Sequence, residues 1–428
     1  MNISIFVILV FLLFATRVPI AFSMLAGCLV YSVQLVSIDS IILPQKIQAG
    51  LDSFSLLAVP FFVLLGELMT ESGATGRLVR LATNVLCFVR SGLAQINILA
   101  SVLFAGVSGS AVADSSALGG LFIPAMVKEG YSAAFSAAVT AASSTIGPII
   151  PPSILMVVYG AMGNVSVGRL FLAGAIPGIL MGIYMMVTTF FILRKDDRVA
   201  RVKFSSSELY SAAKGGGLLL FVPILIIGGI VGGVVTPTES GVIAVFYVLI
   251  IGLFIYRTLD VNKISVALKN TVKILGPLGM ILGAAGALGW ILNAEQAGVK
   301  LTDFLFSISS NKIVLMFLIN ALLFILGCFI ESVAILTILT PVLVPLMAQI
   351  GWDPVFFGVV MLLNLMIGLI TPPVGLCMFI TVSIARITVG EFLRAVWPFY
   401  VAIALVVVTL CFFEDIVMFL PDLLMPVR

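Results

Sequence analysis

The stretch "IGPIIPP", residues 146–152, has a near copy far along the chain in "IGLITPP", residues 367–373. Both stretches lie inside apolar runs long enough to cross a bilayer. Proline has no backbone N–H and its ring clashes with the preceding turn of a helix, so two adjacent prolines interrupt a helix. At membrane depth, such irregular backbone is tolerated only where it is buried in protein or faces water. The two stretches therefore predict two broken membrane helices.

The composition also favours a membrane protein. Of the 428 residues, 61% are hydrophobic and 10% are charged, and the mean hydropathy is +1.28. A soluble chain of this length needs more polar residues to cover its surface. We therefore predict an all-α polytopic protein in a lipid bilayer. The apolar N-terminal segment has no basic region before it and no small-residue cleavage site after it, so we interpret it as the first membrane helix.

Several classes of chemistry are excluded by the residue types present. The chain has no histidine, which rules out a histidine proton relay and a histidine-ligated metal site. Its net charge of +3 and short basic loops give no sign of a nucleic-acid partner. We expect no cofactor, no transition metal and no enzymatic activity. The five cysteines form no CxxC spacing and are expected to be small core residues: Cys28, Cys87, Cys328, Cys377 and Cys411.

Counting about 20 apolar residues for each crossing predicts ten membrane helices. Two further segments, 92–127 and 313–348, each hold two short apolar arms around a polar centre, and we interpret them as re-entrant helical hairpins. The tips of such hairpins usually line a site. The predicted helices cover 3–16, 18–36, 54–72, 131–163, 169–193, 215–235, 238–257, 274–293, 353–384 and 391–413.

The two halves of the chain carry the same pattern. Pro345 follows Pro124 by 221 residues, and the same separation joins Gly368 to Gly147. We therefore predict two repeats, each with five crossings and one hairpin, and hence with opposite orientations. The first repeat is 1–214, with hairpin 92–127 and broken helix 131–163; the second is 215–428, with hairpin 313–348 and broken helix 353–384.

The distribution of basic residues favours one orientation of the repeats. The loop around 194–214 is the richest in Lys and Arg, so the positive-inside rule assigns it to the cytoplasm. Seventeen of the 22 basic residues then lie on the cytoplasmic side. Both termini and the loop 163–168 are predicted to be periplasmic, with hairpin one entering from the cytoplasm and hairpin two from outside.

Inverted repeats with broken helices and hairpins are typical of secondary transporters. The end of the first half of a broken helix carries partial negative charge suited to a cation, and the start of the second half offers N–H groups to an anion. We predict cation sites at both breaks, where Thr371 adds a hydroxyl oxygen of the kind that Na⁺ prefers. The alternative is that the prolines only kink the bundle. The predicted anion contacts are Pro151, Pro152, Pro372 and Pro373.

The tip of hairpin one, "GVSGSAVADSSA", concentrates polar residues at membrane depth. A charged side chain there costs about 2.5–3.5 kcal/mol on insertion scales, which makes Asp114 a candidate ion ligand. Ser108 and Ser110 are predicted to contact the ion or the substrate. Ser115 and Ser116 are equally well explained by close helix packing.

The tip of hairpin two, "GCFIESVAILT", offers Glu331 as a cation ligand and Ser332 as a substrate contact. The other acids have structural interpretations. Glu239 follows Thr236 at a helix start, which is typical of helix capping. Glu67, Glu71 and Glu295 are predicted to lie at the ends of the third helices, exposed at the membrane interface.

Taken together, "GVSGSAVADSSALG", "IGPIIPPS", "GGVVTPTESGVIA" and "FGVVMLLNLMIGLITPPVGLCMF" resemble the large membrane subunit of tripartite ATP-independent periplasmic (TRAP) transporters, over essentially the whole chain. The resemblance implies a carrier of the bacterial inner membrane that works by an elevator mechanism and is driven by a Na⁺ gradient. It implies two partners, a small four-helix membrane subunit, expected as a separate polypeptide, and a periplasmic substrate-binding protein. The implied substrates are organic acids, namely C4-dicarboxylates, sialic acids and other sugar or keto acids.

The resemblance also implies a set of Na⁺ ligands. The first site would fall on Ser108, Asp114, Gly147 and Ile150, and the second on hairpin two and Gly368 to Thr371. A rival prediction is a stand-alone Na⁺–dicarboxylate symporter of related fold, whose Ser-Asn-Thr signature is missing from both hairpin tips. An intramembrane enzyme or a channel is less compatible with inverted repeats and opposed hairpins.

Overall fold

The computed structural model describes residues 9–10, 12–13, 18–34, 41–86, 92–194 and 206–426. These residues form 19 α-helices and no strand, and eight helices among them are long and apolar enough to cross a membrane. The prediction of an all-α polytopic membrane protein is confirmed. Most of the predicted first helix (3–16), the centre of the basic loop and Cys87 lie outside the described residues. The four cysteines within them are buried and free: Cys28, Cys328, Cys377 and Cys411.

The first half of the chain holds nine α-helices in its described residues and one short 3-10 helix, Phe54–Leu57. They are α1 (Ile20–Gln34), α2 (Ile42–Leu51), α3 (Ala58–Glu71), α4 (Ala74–Leu86), α5 (Gly92–Ser108), α6 (Ala111–Lys128), α7 (Ala133–Ser144), α8 (Ile154–Gly163) and α9 (Val167–Leu193).

The second half holds ten α-helices in its described residues and a π-helical turn, Ile251–Ile255. They are α10 (Ser206–Val231), α11 (Pro237–Ile250), α12 (Val261–Ala294), α13 (Ala297–Ile308), α14 (Lys312–Phe329), α15 (Ser332–Ile350), α16 (Pro354–Gly368), α17 (Leu376–Ala385), α18 (Val389–Phe412) and α19 (Glu414–Leu424).

Both hairpins and both broken helices are confirmed. Helices α5 and α6 form the hairpin predicted at 92–127, and α14 and α15 form the one predicted at 313–348. The first broken helix consists of α7 and α8, the second of α16 and α17, and both Pro-Pro bonds in the breaks are cis. The element order α5 to α9 in the first half therefore recurs as α14 to α18 in the second.

Several helices differ from the sequence prediction. Helices α2, α4 and α13 lie outside all the predicted ranges, and α12 and α19 differ for physical reasons that the structure shows. Helix α12 has 34 residues and begins at Val261, although only 274–293 was predicted. Its first turns carry Lys263 and Lys269, which lower the local hydropathy without interrupting the helix, and Asp260 caps its start by accepting the Lys263 N–H. Helix α19 was not predicted, because it is short and amphipathic. Arg169 of α9 fixes it through an ion pair with Asp422 at 2.7 Å.

The packing of the helices brings the hairpins and the breaks together. Arm α5 packs on α7 of its own half, whereas arm α6 also packs on α17 of the other half; in the same way α14 packs on α16, and α15 packs on α8. Each hairpin therefore contacts the broken helices of both halves. A second group of helices, α1, α2 and α3, packs on α12. Helices α2 and α12 approach closely because Gly50 and Gly286 face each other without side chains.

Candidate functional site

The hairpin tips and the breaks face the second group of helices across a cavity of about 1240 Å³. One wall, here called the tip wall, contains Gly109 to Ala113 and Ser116 from hairpin one and Glu331 to Val333 from hairpin two. The breaks add Pro148, Ile154, Leu155, Leu369 and Leu376 to it. The opposite wall, here called the scaffold wall, comes from α3, α12 and the start of α1: Pro19 to Phe22, Val63, Glu67, Ile274, Gly276 to Leu278, Met280 and Ile281.

The tip of hairpin one is a tight turn that starts α6. Gly109 has a φ of +60°, a conformation that favours glycine. Ser110 follows as the N-cap of α6, since its hydroxyl oxygen accepts the Ala113 N–H at 3.4 Å. The turn carries Ser110 into the cavity wall and leaves Asp114, one turn later, fully buried behind it.

Asp114 lies between the Ser108 hydroxyl and Gly147 of the first break. Its Oδ1 accepts a hydrogen bond from the Ser108 hydroxyl. Its Oδ2 is buried and has no hydrogen-bond partner among the described residues, and it lies against Gly147, where an added Cβ would overlap it. A buried carboxylate oxygen without a donor is costly, and a hard cation takes such an oxygen as a ligand. The side chains at this position therefore fit a bound Na⁺.

The first break packs directly on the tip of hairpin one. A Cβ added to Gly109 would come within 2.6 Å of the Pro152 carbonyl oxygen. Ile150 belongs to the same break, and its N–H donates to the Ile146 carbonyl at 3.2 Å. Ser153 then caps α8 by accepting the Met156 N–H at 3.2 Å. Pro151 and Pro152 are buried at this contact and do not line the cavity.

The tip of hairpin two is built differently. Glu331 is the N-cap of α15, and its Oε2 accepts the N–H groups of Val333 at 3.1 Å and Ala334 at 3.3 Å. Ser332 is 4% exposed and lines the cavity beside it. The carboxylate predicted as a cation ligand therefore also neutralises the positive end of its own helix.

The second break lies against hairpin two through two glycines. Gly368 faces the backbone of Gly327 on α14, and no side chain fits between them. The Thr371 hydroxyl donates to the Ile367 carbonyl at 2.7 Å, and the Tyr400 hydroxyl donates to the Ile370 carbonyl at 2.6 Å. Pro372 and Pro373 are not cavity-lining residues, and Pro373 is exposed.

The structure also shows where the remaining polar residues lie. Of the two serines with open interpretations, Ser116 lines the cavity and Ser115 is buried behind it. Glu239 forms a capping box with Thr236, as predicted. Glu67, predicted to be exposed at the interface, instead lies in the scaffold wall. The sequence signal for Glu67 is its position in an apolar stretch, four residues before the end of α3.

The chain matches known proteins over nearly its whole length. A family model described as the DctM component of tripartite ATP-independent periplasmic transporters matches residues 7–416. The sialic acid TRAP transporter large permease protein SiaM of Vibrio cholerae is 40% identical over 412 residues, which are 96% of each chain. The C4-dicarboxylate TRAP transporter large permease protein DctM of Pseudomonas aeruginosa is 36% identical over 401 residues, or 93% of each chain.

A solved structure shares the fold at low identity. The YdaH transporter of Alcanivorax borkumensis, whose topology is described as unusual, superposes with a TM-score of 0.65 and 17% identity. The similarity covers 94% of this chain and 97% of that one. At this identity the similarity shows a shared fold and nothing further.

Proposed function

The chain belongs to the DctM component family of tripartite ATP-independent periplasmic transporters, and from this premise we propose that it carries an organic acid across the bacterial inner membrane in symport with Na⁺. The observation that carries the proposal is the buried Asp114 carboxylate, whose Oδ2 faces Gly147 one turn behind a large cavity. The ion and the substrate would then bind to the same hairpin tip.

The first Na⁺ site is proposed at Ser108, Asp114, Gly147 and Ile150, with Ser110 at the adjoining cap. Asp114 would supply the charge, Ser108 orients the carboxylate, and the turn at the break would supply carbonyl oxygens. Na⁺ bound there would offset the cost of burying the carboxylate, so the tip and the break would be held together more firmly when the ion is present.

The second Na⁺ site is proposed at Glu331, Gly368 and Thr371. The reason is their placement at the equivalent hairpin tip and break of the second half. The close contact between Gly327 and Gly368 keeps the backbone of the break beside hairpin two, so an ion at this break would join the same two elements as in the first half.

The substrate is proposed to bind in the cavity as an anion. Four helices, α6, α8, α15 and α17, begin at or beside the cavity wall, and the start of a helix carries partial positive charge. Ser110 and Ser332 add hydroxyl groups at the two tips. At α15 the carboxylate of Glu331 occupies the helix start, so the ends of α6, α8 and α17 are the better places for a substrate carboxylate.

Transport is proposed to follow an elevator mechanism. The tip wall belongs to the interlocked hairpins and broken helices, whereas the scaffold wall belongs to α1, α3 and α12. Because the cavity lies between the two groups, a displacement of the first group along the second would carry a bound substrate with it. The proposed partners are a small four-helix membrane subunit and a periplasmic substrate-binding protein, as the tripartite family description suggests.

Reconstitution in proteoliposomes tests the proposal. Uptake of labelled organic acids is measured with the chain, its small subunit, a binding protein and an inward Na⁺ gradient, and then with each component omitted in turn. We expect uptake only when all are present. Uptake that persists without a Na⁺ gradient would contradict the coupling, and uptake by this chain alone would favour the stand-alone dicarboxylate symporter.

A further inference from the structure

Glu67 has a position in the cavity that its sequence context does not reveal. Among the cavity-lining residues that the structure describes, it is the one polar side chain on the scaffold wall; its neighbours there include Val63, Ile274 and Met280. Its carboxylate therefore faces a cavity whose opposite wall carries Ser110 and Ser332.

Two contacts hold Glu67 in this position. The preceding residue, Gly66, lies so close to hairpin one that an added Cβ would be 3.3 Å from the Ser108 carbonyl oxygen. This contact keeps α3 against the tip. On the other side, the Asn270 amide of α12 donates to Glu67 Oε2 at 3.1 Å. The carboxylate is thus oriented by a neutral amide donor.

The charges around the cavity are arranged unevenly. Glu331 caps α15 and contributes a second carboxylate to the tip wall. The start of α6 is capped by the neutral hydroxyl of Ser110 instead. A substrate carboxylate is therefore attracted to the start of α6 and repelled from Glu67.

We propose that Glu67, oriented by Asn270, is a specificity-determining residue that accepts hydrogen bonds from the hydroxyl groups of a polyhydroxylated monocarboxylate. The inference rests on the proposed function and names the substrate class of the same cavity. A carboxylate acceptor raises the affinity for a substrate that has hydroxyl or N–H donors, and it lowers the affinity for a substrate that has a second carboxylate. A compact dianion is disfavoured because one of its negative charges would lie beside the Glu67 carboxylate in a site of low dielectric.

Equilibrium binding to the purified complex of this chain with its small subunit, in nanodiscs and saturating Na⁺, tests the inference without the selectivity of a binding protein. The probes are sialic acid, a hydroxylated monoanion, and succinate, a dianion. The variants are Glu67→Gln, which keeps the shape and removes the charge, Asn270→Ala, and the matched control Glu71→Gln, one turn further along α3 and outside the cavity wall.

The wild-type complex is expected to prefer sialic acid. Glu67→Gln should weaken sialic acid binding about tenfold or more, as expected for the loss of a charge-assisted hydrogen bond, and leave succinate binding unchanged or stronger. Asn270→Ala should change the preference in the same direction by a smaller factor, and Glu71→Gln should leave it unchanged.

Other results contradict the inference in distinguishable ways. Equal losses of affinity for both probes in Glu67→Gln, or no change in either affinity, would overturn the proposed role of Glu67 and leave the substrate class unaffected. A wild-type preference for succinate would overturn the substrate class. Failure of the intact tripartite system to take up any organic acid would overturn the proposed function, and this inference with it.

Discussion

At the scale of single residues, the proposed ion binding depends on Asp114 and Gly147. Asp114 is fully buried, and its Oδ2 has no hydrogen-bond partner among the described residues and faces the bare Cα of Gly147. The carboxylate raises the free energy of the folded state unless a cation compensates it. Stability and Na⁺ binding are therefore expected to be linked at this pair.

Replacing Asp114 by Asn should separate the two properties. The amide has the same shape without the charge, so the variant should be at least as stable as the wild type in Na⁺-free buffer. The wild type should gain about 2.7 kcal/mol when Na⁺ is present at 100 times its dissociation constant, and the variant should gain much less. Thermal unfolding of the detergent-solubilised protein at a series of Na⁺ concentrations measures both. An equal Na⁺ response in the two proteins would remove Asp114 from the site.

Replacing Gly147 by Ala tests the same site without changing a charge. The added methyl group would overlap Asp114 Oδ2, so the apparent Na⁺ affinity in uptake should fall by about tenfold or more, equivalent to about 1.4 kcal/mol. The matched control is Gly120→Ala on α6, where nothing lies within 4 Å of the new methyl group. If both variants respond to Na⁺ like the wild type, the close approach of Gly147 to Asp114 does not affect Na⁺ binding.

At the scale of helices, a hydrogen bond between two buried polar side chains joins each hairpin to a broken helix. In the first half the Ser101 hydroxyl donates to the Ser143 hydroxyl at 2.8 Å, between α5 and α7. In the second half the Asn364 amide donates to the Asn320 side chain, between α14 and α16. Ser143 and Asn364 are equivalent positions of the two repeats, 221 residues apart. A hairpin arm and its broken helix are therefore expected to move as one unit.

The Asn320–Asn364 pair can be measured by a double-mutant cycle. Asn364→Leu should destabilise the protein because it leaves the Asn320 oxygen without its donor. Adding Asn320→Leu should cost less than the sum of the single changes, with a coupling of about 0.6 kcal/mol and at most about 1.7, the range for hydrogen bonds between membrane helices. Unfolding in mixed detergent micelles gives the free energies. Strictly additive losses would show that the pair does not couple α14 to α16.

The hairpins and breaks could be predicted because their signals lie in short stretches of sequence. Pro-Pro pairs, glycines and polar tips are local, so both hairpins and both breaks were predicted within a few residues of their observed ends. Glu67 was misassigned because its environment depends on how α3 packs on hairpin one and α12, which is not a local property. The same limit applies to Pro151 and Pro152, predicted as substrate contacts. Pro152 packs on Gly109 and Pro151 lies near Gly106 of hairpin one, and neither is among the residues that line the cavity.

At the scale of the whole molecule, contacts between the halves join the hairpins and broken helices into one body. The Tyr159 hydroxyl of α8 donates to the Pro354 carbonyl at the start of α16, at 2.7 Å, and the hydroxyls of Tyr184 and Thr409 join α9 to α18 at 3.2 Å. The proposed ion sites would both lie inside this body, whereas Glu67 lies on the facing group of helices. Substrate specificity can therefore depend on residues of both groups of helices, although both Na⁺ ions would move with the hairpins and broken helices.

The orientation of that body in the membrane is open to a direct test. Ser310, between α13 and α14, and Ser207, at the start of α10, are both exposed, and the distribution of Lys and Arg predicts that Ser310 is periplasmic and Ser207 is cytoplasmic. In a background without the native cysteines, Ser310→Cys should react with a membrane-impermeant maleimide on intact spheroplasts. Ser207→Cys should react only after permeabilisation. The reverse pattern would invert both repeats, so that hairpin one would enter from the periplasm and hairpin two from the cytoplasm.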